Sequence, residues 1–124
     1  MTLQRQLLGL AGEDLATRAL EARGYAILER RYRTQRGEID IVAMDGETLV
    51  FVEVKARADH ECGSAAESVT PAKQRRVVRM AAEYLAVKSV ADCPCRFDVV
   101  AIDFALSDKP EVTVYPNAFD AGSL

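Results

Sequence analysis

Cysteine is scarce in this 124-residue chain. The three present, Cys62, Cys93 and Cys95, are an odd number, which argues against a framework of paired disulfides. Long apolar runs are missing too: no stretch approaches the ~18 consecutive apolar residues of a membrane helix. The opening MTLQRQLLGLAGED has neither the apolar core nor the cleavage site of a secretory signal. There is no internal repeat, no low-complexity tract and no Pro/Gly-rich linker, so nothing marks a domain boundary within residues 1–124. What is present is globular in composition, 49% hydrophobic and 28% charged, enough to bury a core without disulfide or metal staples. The expectation is a cytoplasmic, soluble chain of one domain with no membrane partner.

An excess of positive charge is also lacking, since the formal net charge is −3. The distribution matters more than the sum. Residues 1–36 carry seven arginines against four acids, and residues 71–91 carry five basic residues against one acid. Residues 37–70 carry two basic residues against eight acids, and residues 92–124 two against six. A polyanion responds to local potential, so two basic segments framing acidic ones remain compatible with a nucleic-acid partner.

Along the chain, Leu7, Leu8, Ala11, Leu15, Ala19 and Leu20 recur at helical spacing, and Gly24 closes the pattern. The segment 25–33 (YAILERRYR) reads as a strand. The runs IDIVAM and ETLVFVEVKA, separated by Asp45-Gly46, read as a hairpin. Residues 58–69 read as a loop. Thr70-Pro71 supplies an N-cap and a first-position proline for a helix reaching about Lys88. RFDVVAIDF is a further strand and VTVY (112–115) a short edge strand. The order helix, three strands, helix, strand implies an α/β fold with a central mixed sheet and helices on both faces.

With Asp45 and Gly46 as the two loop residues, Met44 lies opposite Glu47 and Asp40 opposite Phe51. Alternation then puts Glu38, Asp40, Val42, Met44, Glu47, Leu49, Phe51, Glu53 and Lys55 on one face. Ile39, Ile41, Ala43, Val50, Val52 and Val54 fall on the other. Both faces are mostly apolar, as in central strands covered on both sides. Asp40, Glu53 and Lys55 nonetheless gather at the end far from the turn, with Asp40 and Glu53 as diagonal neighbours about 7–8 Å apart. Two carboxylates beside a lysine on an apolar face are costly unless a ligand uses them. Mg²⁺ or Mn²⁺ would suit such oxygen donors, with Lys55 orienting a water or stabilising developing charge. The plainer alternative is a solvated strand end with Lys55 paired to one of the acids.

GEID (37–40) and FVEVK (51–55) together resemble the signature of the PD-(D/E)xK nucleases. More closely, the chain resembles the YraN family of small bacterial proteins, related to archaeal Holliday-junction resolvases. That resemblance runs through Gly12-Glu13, Gly24-Tyr25, Tyr32-Arg33, Lys73-Gln74, Tyr84-Leu85, Arg96-Phe97-Asp98 and Asn117-Ala118-Phe119. It implies a restriction-endonuclease-like αβββαβ fold, with Asp40 and Glu53 as metal ligands, Lys55 as catalytic lysine and Glu13 as the first-helix acid completing the site. Arg31 departs from the family, which usually has Asn there, and Cys62 replaces a common aromatic.

From the residues alone, Glu13 lies at the border of the first helix's apolar arc, a place where acids are often merely solvated. Gln74 falls among Val77, Val78, Ala81 and Leu85. It either bonds to backbone or contacts substrate phosphate or a water on the metal. Arg30, Arg31, Arg33 and Arg36, with Lys73, Arg75, Arg76 and Arg79, are the natural phosphate contacts, or else ordinary solubilising charge. His60, Cys62, Cys93 and Cys95 have poor spacing for zinc and read as a loop histidine with small apolar fillers. The expected function is a metal-dependent endonuclease acting on DNA before RNA, branched and single-stranded forms included, with a homodimer left open. The rival is a non-catalytic nucleic-acid-binding or recombination-accessory module that keeps the nuclease fold.

Overall fold

The computed structural model describes residues 3–57, 69–90, 92–104 and 109–121, with side chains from residue 9 onward. Two helices, α1 (Leu3–Ala22) and α2 (Pro71–Val87), accompany five strands: β1 (Ala26–Thr34), β2 (Gly37–Asp45), β3 (Thr48–Arg57), β4 (Cys95–Asp103) and β5 (Glu111–Phe119). They form one sheet in the order β1-β2-β3-β4-β5. β1, β2 and β3 are a meander of antiparallel neighbours, β3 and β4 run parallel, and β5 returns antiparallel to β4. A parallel pair cannot be joined by a tight turn, and the segment containing α2 provides the crossover. This is the expected mixed α/β sheet in the order αβββαβ, with a fifth strand at its edge.

Each sheet face is closed by one helix. On one side Val77, Met80, Ala81 and Tyr84 of α2 pack against Val42, Leu49, Phe51, Phe97 and Val99. On the other, Ala16 and Leu20 of α1 pack against Ile41, Ala43, Val50, Val52, Val100 and Ile102. The first helix lies close to the sheet at Gly12, where an added Cβ would come within 3.0 Å of Ala56 Cβ. Helix α2 starts as its sequence implies: the Thr70 hydroxyl accepts from the Lys73 amide at 3.2 Å and Pro71 follows.

Three expectations are corrected. The hairpin register pairs Asp45 with Thr48, Val42 with Phe51 and Ile41 with Val52, so its loop residues are Gly46 and Glu47. Gly46 takes a left-handed φ of 62° as the first loop residue, where Gly is needed in one of the two tight hairpin turns. The slip is two residues, and an even slip leaves every side chain on its expected face. Ile39 is the exception, because it joins the α2-side cluster while Ile41 joins the α1 side. Finally, β5 spans nine residues rather than four. It continues past Pro116 with a bulge in the β4 ladder between Phe97 and Val99, where Asn117 adopts φ 53°. An edge strand tolerates both features.

Candidate active site in the fork of the sheet

The pairing of β2 with β3 ends at Ile41 and Val52. Beyond that point Gly37, Glu38 and Ile39 stay with β1, while Glu53 to Arg57 stay with β4. The sheet therefore forks, and continuing the observed register by one residue sets Asp40 across from Glu53 at the start of the split. Asp40 closes the gap with its side chain: its Oδ2 accepts from the Val54 amide at 2.8 Å.

Asp40 is half-buried and Glu53 buried, at 7% exposed. Burial raises the Asp40 carboxyl above its ordinary value of 3.8, to about 8, and the neighbouring Glu53 charge pushes it the same way. The Val54 amide and the Lys73 ammonium pull it back in part. Lys73 reaches in from the first turn of α2, its Nζ 3.2 Å from Glu53 Oε1. Lys55 follows Glu53 by two residues, on the same face, beside Ala101 of β4. Among the described residues it has no ion-pair partner. Gln74 donates from Nε2 to the Val69 carbonyl at 3.0 Å, the backbone-bonded alternative, and this bond fixes the amide at the start of α2.

Glu13 does not join Asp40 and Glu53 directly. Both of its carboxylate oxygens accept from Arg31 Nε, at 3.0 and 3.1 Å. Among the described residues no group of three or more His, Cys, Asp or Glu side chains is assembled closely enough to hold a metal ion. Arg31 makes its contact from a left-handed backbone, φ 53°. That conformation explains why strand β1 presents Arg30 to the α1 side and Tyr32 to α2: Arg30 bonds Asp14 at 2.6 Å, and Tyr32 packs edge-on against Tyr84.

The expected phosphate contacts divide in two. Arg30 and Arg31 hold Asp14 and Glu13, Arg33 lies 3.4 Å from Glu38, and Arg36 lies 3.7 Å from Glu83. Arg75, Arg76 and Arg79 are exposed along α2 and have no ion-pair partner among the described residues. Cys93 and Cys95 lie at the entrance to β4, their thiols meeting backbone carbonyls. His60 and Cys62 fall outside the described residues.

A second polar cluster was not foreseen. Asp98 is fully buried on the α1 side and accepts from Tyr25 Oη at 2.9 Å, Arg96 Nε at 2.9 Å and Nη2 at 3.0 Å, and the Asn117 amide at 2.9 Å. Arg96 also reaches Asp45, 3.0 Å away. Burial, then the bond to Asp98, pushes the Tyr25 phenol up to about 12. A carboxylate satisfied by four donors is a structural tie among β4, β5 and the end of α1. The signal in the sequence is an acid inside an otherwise apolar strand, RFDVVAI.

Residues 12–102 match the sequence profile of the family described as uncharacterised protein family UPF0102. The chain belongs to the UPF0102 family. Its relatives in the family include the UPF0102 protein of Geotalea uraniireducens, 48% identical over 113 residues, 91% of this chain and 89% of that one. The UPF0102 protein of Geobacter metallireducens is 45% identical over 120 residues, covering 97% and 98%. That of Chlorobium chlorochromatii is 51% identical over 96 residues, covering 77% and 74%. The match takes in Glu13, Asp40, Glu53, Lys55, Lys73 and Gln74. It is the YraN family that the GEID and FVEVK motifs resemble. Among solved structures, the chain is similar to Pyrococcus furiosus SfsA in complex with Ca²⁺, at 15% identity and a TM-score of 0.43. The alignment covers 90% of this chain and 63% of that one. No helix among the described residues is long and apolar enough to cross a membrane.

Proposed function

We propose that this UPF0102 chain is a metal-dependent nuclease that hydrolyses phosphodiester bonds in DNA, with the fork between β2 and β3 as its active site. The observation that carries this reading is the pair of carboxylates, half-buried Asp40 and buried Glu53, set across from each other where the sheet divides. Burial first, and the neighbouring Glu53 charge second, raise the Asp40 carboxyl, so keeping both acids ionised here is unfavourable without a cation. Oxygen donors of this kind fit Mg²⁺ or Mn²⁺, which Asp40 and Glu53 would hold. A bound divalent cation supplies Lewis acidity toward a phosphoryl oxygen and a more acidic water. The chain supplies the rest. Lys55 carries an ammonium without an ion-pair partner among the described residues, able to orient the attacking water and to meet charge developing on the phosphoryl oxygens. Gln74, anchored to Val69, keeps its amide oxygen at the start of α2. Arg75, Arg76 and Arg79 meet the phosphate backbone from the exposed side of that helix.

The test is cleavage of labelled linear, single-stranded, flap and four-way-junction DNA, with a matched RNA, in Mg²⁺ or Mn²⁺ and in EDTA. Metal-dependent cleavage of at least one DNA form, abolished by EDTA, is the expected result. Tight DNA binding with no cleavage under any metal would favour a non-catalytic module.

A further inference from the structure

Lys73 stands out because its charge is spent inside the molecule. The sequence groups it with the phosphate-binding arginines of α2, yet its ammonium lies 3.2 Å from Glu53. Its side chain is 32% exposed and that of Glu53 only 9%, so the lysine reaches inward from the surface to a fixed acid. The base of the residue is pinned, since its amide donates to Thr70. The four-carbon stem is free to turn about that anchor. On the same helix Arg75, Arg76 and Arg79 are exposed. The ammonium therefore has two available partners: the carboxylate inside, and a polyanion outside.

Resting on the nuclease reading above, we infer that Lys73 is a tethered counter-cation, holding Glu53 in place of a divalent ion and passing to the nucleic-acid backbone when that ion binds. A divalent ion and the ammonium compete for the same carboxylate oxygens. Its higher charge gives the ion the advantage once both acids take part. The displaced ammonium then joins the arginines of α2, so metal raises affinity for DNA. By reciprocity DNA raises affinity for metal by the same factor. Without the metal, the lysine limits the cost of keeping Glu53 buried and charged.

The test compares wild type, Lys73→Met and Lys73→Arg. Calorimetric titration with Mn²⁺ in the absence of DNA gives metal affinity, and anisotropy of a labelled duplex in EDTA and in Ca²⁺ gives the coupling. Lys73→Met should bind Mn²⁺ roughly tenfold more tightly than wild type, because the competitor is gone. Lys73→Arg should bind it severalfold more weakly, because the fork of its guanidinium grips a carboxylate better. The gain in DNA affinity on adding Ca²⁺ should shrink in Lys73→Met. Metal-free Lys73→Met should also melt lower than wild type and recover more on adding metal. Equal or weaker Mn²⁺ binding in Lys73→Met, with metal-dependent cleavage retained in wild type, overturns this inference alone. No divalent binding in any of the three proteins, with no cleavage, overturns the nuclease reading as well.

Discussion

Asp40 is the residue whose chemistry depends most on its surroundings. Its carboxyl is raised to about 8, first by burial and then by Glu53. A folded pKa above the unfolded one favours the protonated native state. The associated stability is complete below about pH 3.8 and is lost as pH rises through about 8. In EDTA, wild type should therefore lose stability relative to Asp40→Asn between about pH 4 and pH 8, measured by urea unfolding at each pH. Parallel curves for the two proteins would contradict the assignment. Arg31 offers a second test at this scale. Its left-handed φ of 53° is a conformation that Asn tolerates better than Arg or Ala. Asn would fit that backbone, whereas Arg31 adds the grip on Glu13. A half-exposed ion pair contributes at most about 1 kcal/mol, similar to the backbone relief. Arg31→Asn should fall within about 1 kcal/mol of wild type, and Arg31→Ala should be the less stable of the two variants in guanidinium unfolding. An alanine variant at least as stable as the asparagine one would remove backbone strain from the explanation.

At the scale of elements, the sequence is informative where the physics is local and silent where it is not. Thr70-Pro71 marks the start of α2 because capping involves neighbours within one turn. Thr70→Ala should cost about 1 kcal/mol. It should also loosen Lys73, whose amide it holds, and thermal melts of the variant provide the check. The hairpin was legible as a hairpin but not in register. Asp45-Gly46 looks like a complete turn, yet Asp45 pairs with Thr48 and its carboxylate engages Arg96. That partner is 51 residues away in sequence, beyond any local signal. The expected sharing of a face by Asp40 and Glu53 does not depend on that register, because a two-residue slip preserves the alternation of faces. The strand read at 112–115 continues through Pro116 and Asn117, because a bulge on an edge strand accommodates both.

The molecule as a whole uses its charges in two ways that composition does not separate. One set ties elements together: Asp98 binds Tyr25, Arg96 and Asn117, and the arginines of β1 hold acids of the same chain. The other set is Asp40, Glu53 and Lys55 at the fork and the exposed Arg75, Arg76 and Arg79 of α2; Lys55 and these arginines have no ion-pair partner among the described residues. The motifs GEID and FVEVK placed the fork, because strand alternation brings those residues together. The counter-charge from Lys73 was not legible, since it depends on how α2 lies across the sheet. The central claim is that the acids hold a metal while Lys55 acts on the reaction without being a ligand. It is tested most directly by measuring Mg²⁺ affinity and DNA cleavage rate on wild type, Asp40→Asn and Lys55→Ala. Asp40→Asn should lose both properties, whereas Lys55→Ala should retain metal binding and lose roughly a hundred- to a thousandfold in rate. Cleavage by Lys55→Ala at the wild-type rate would contradict the account.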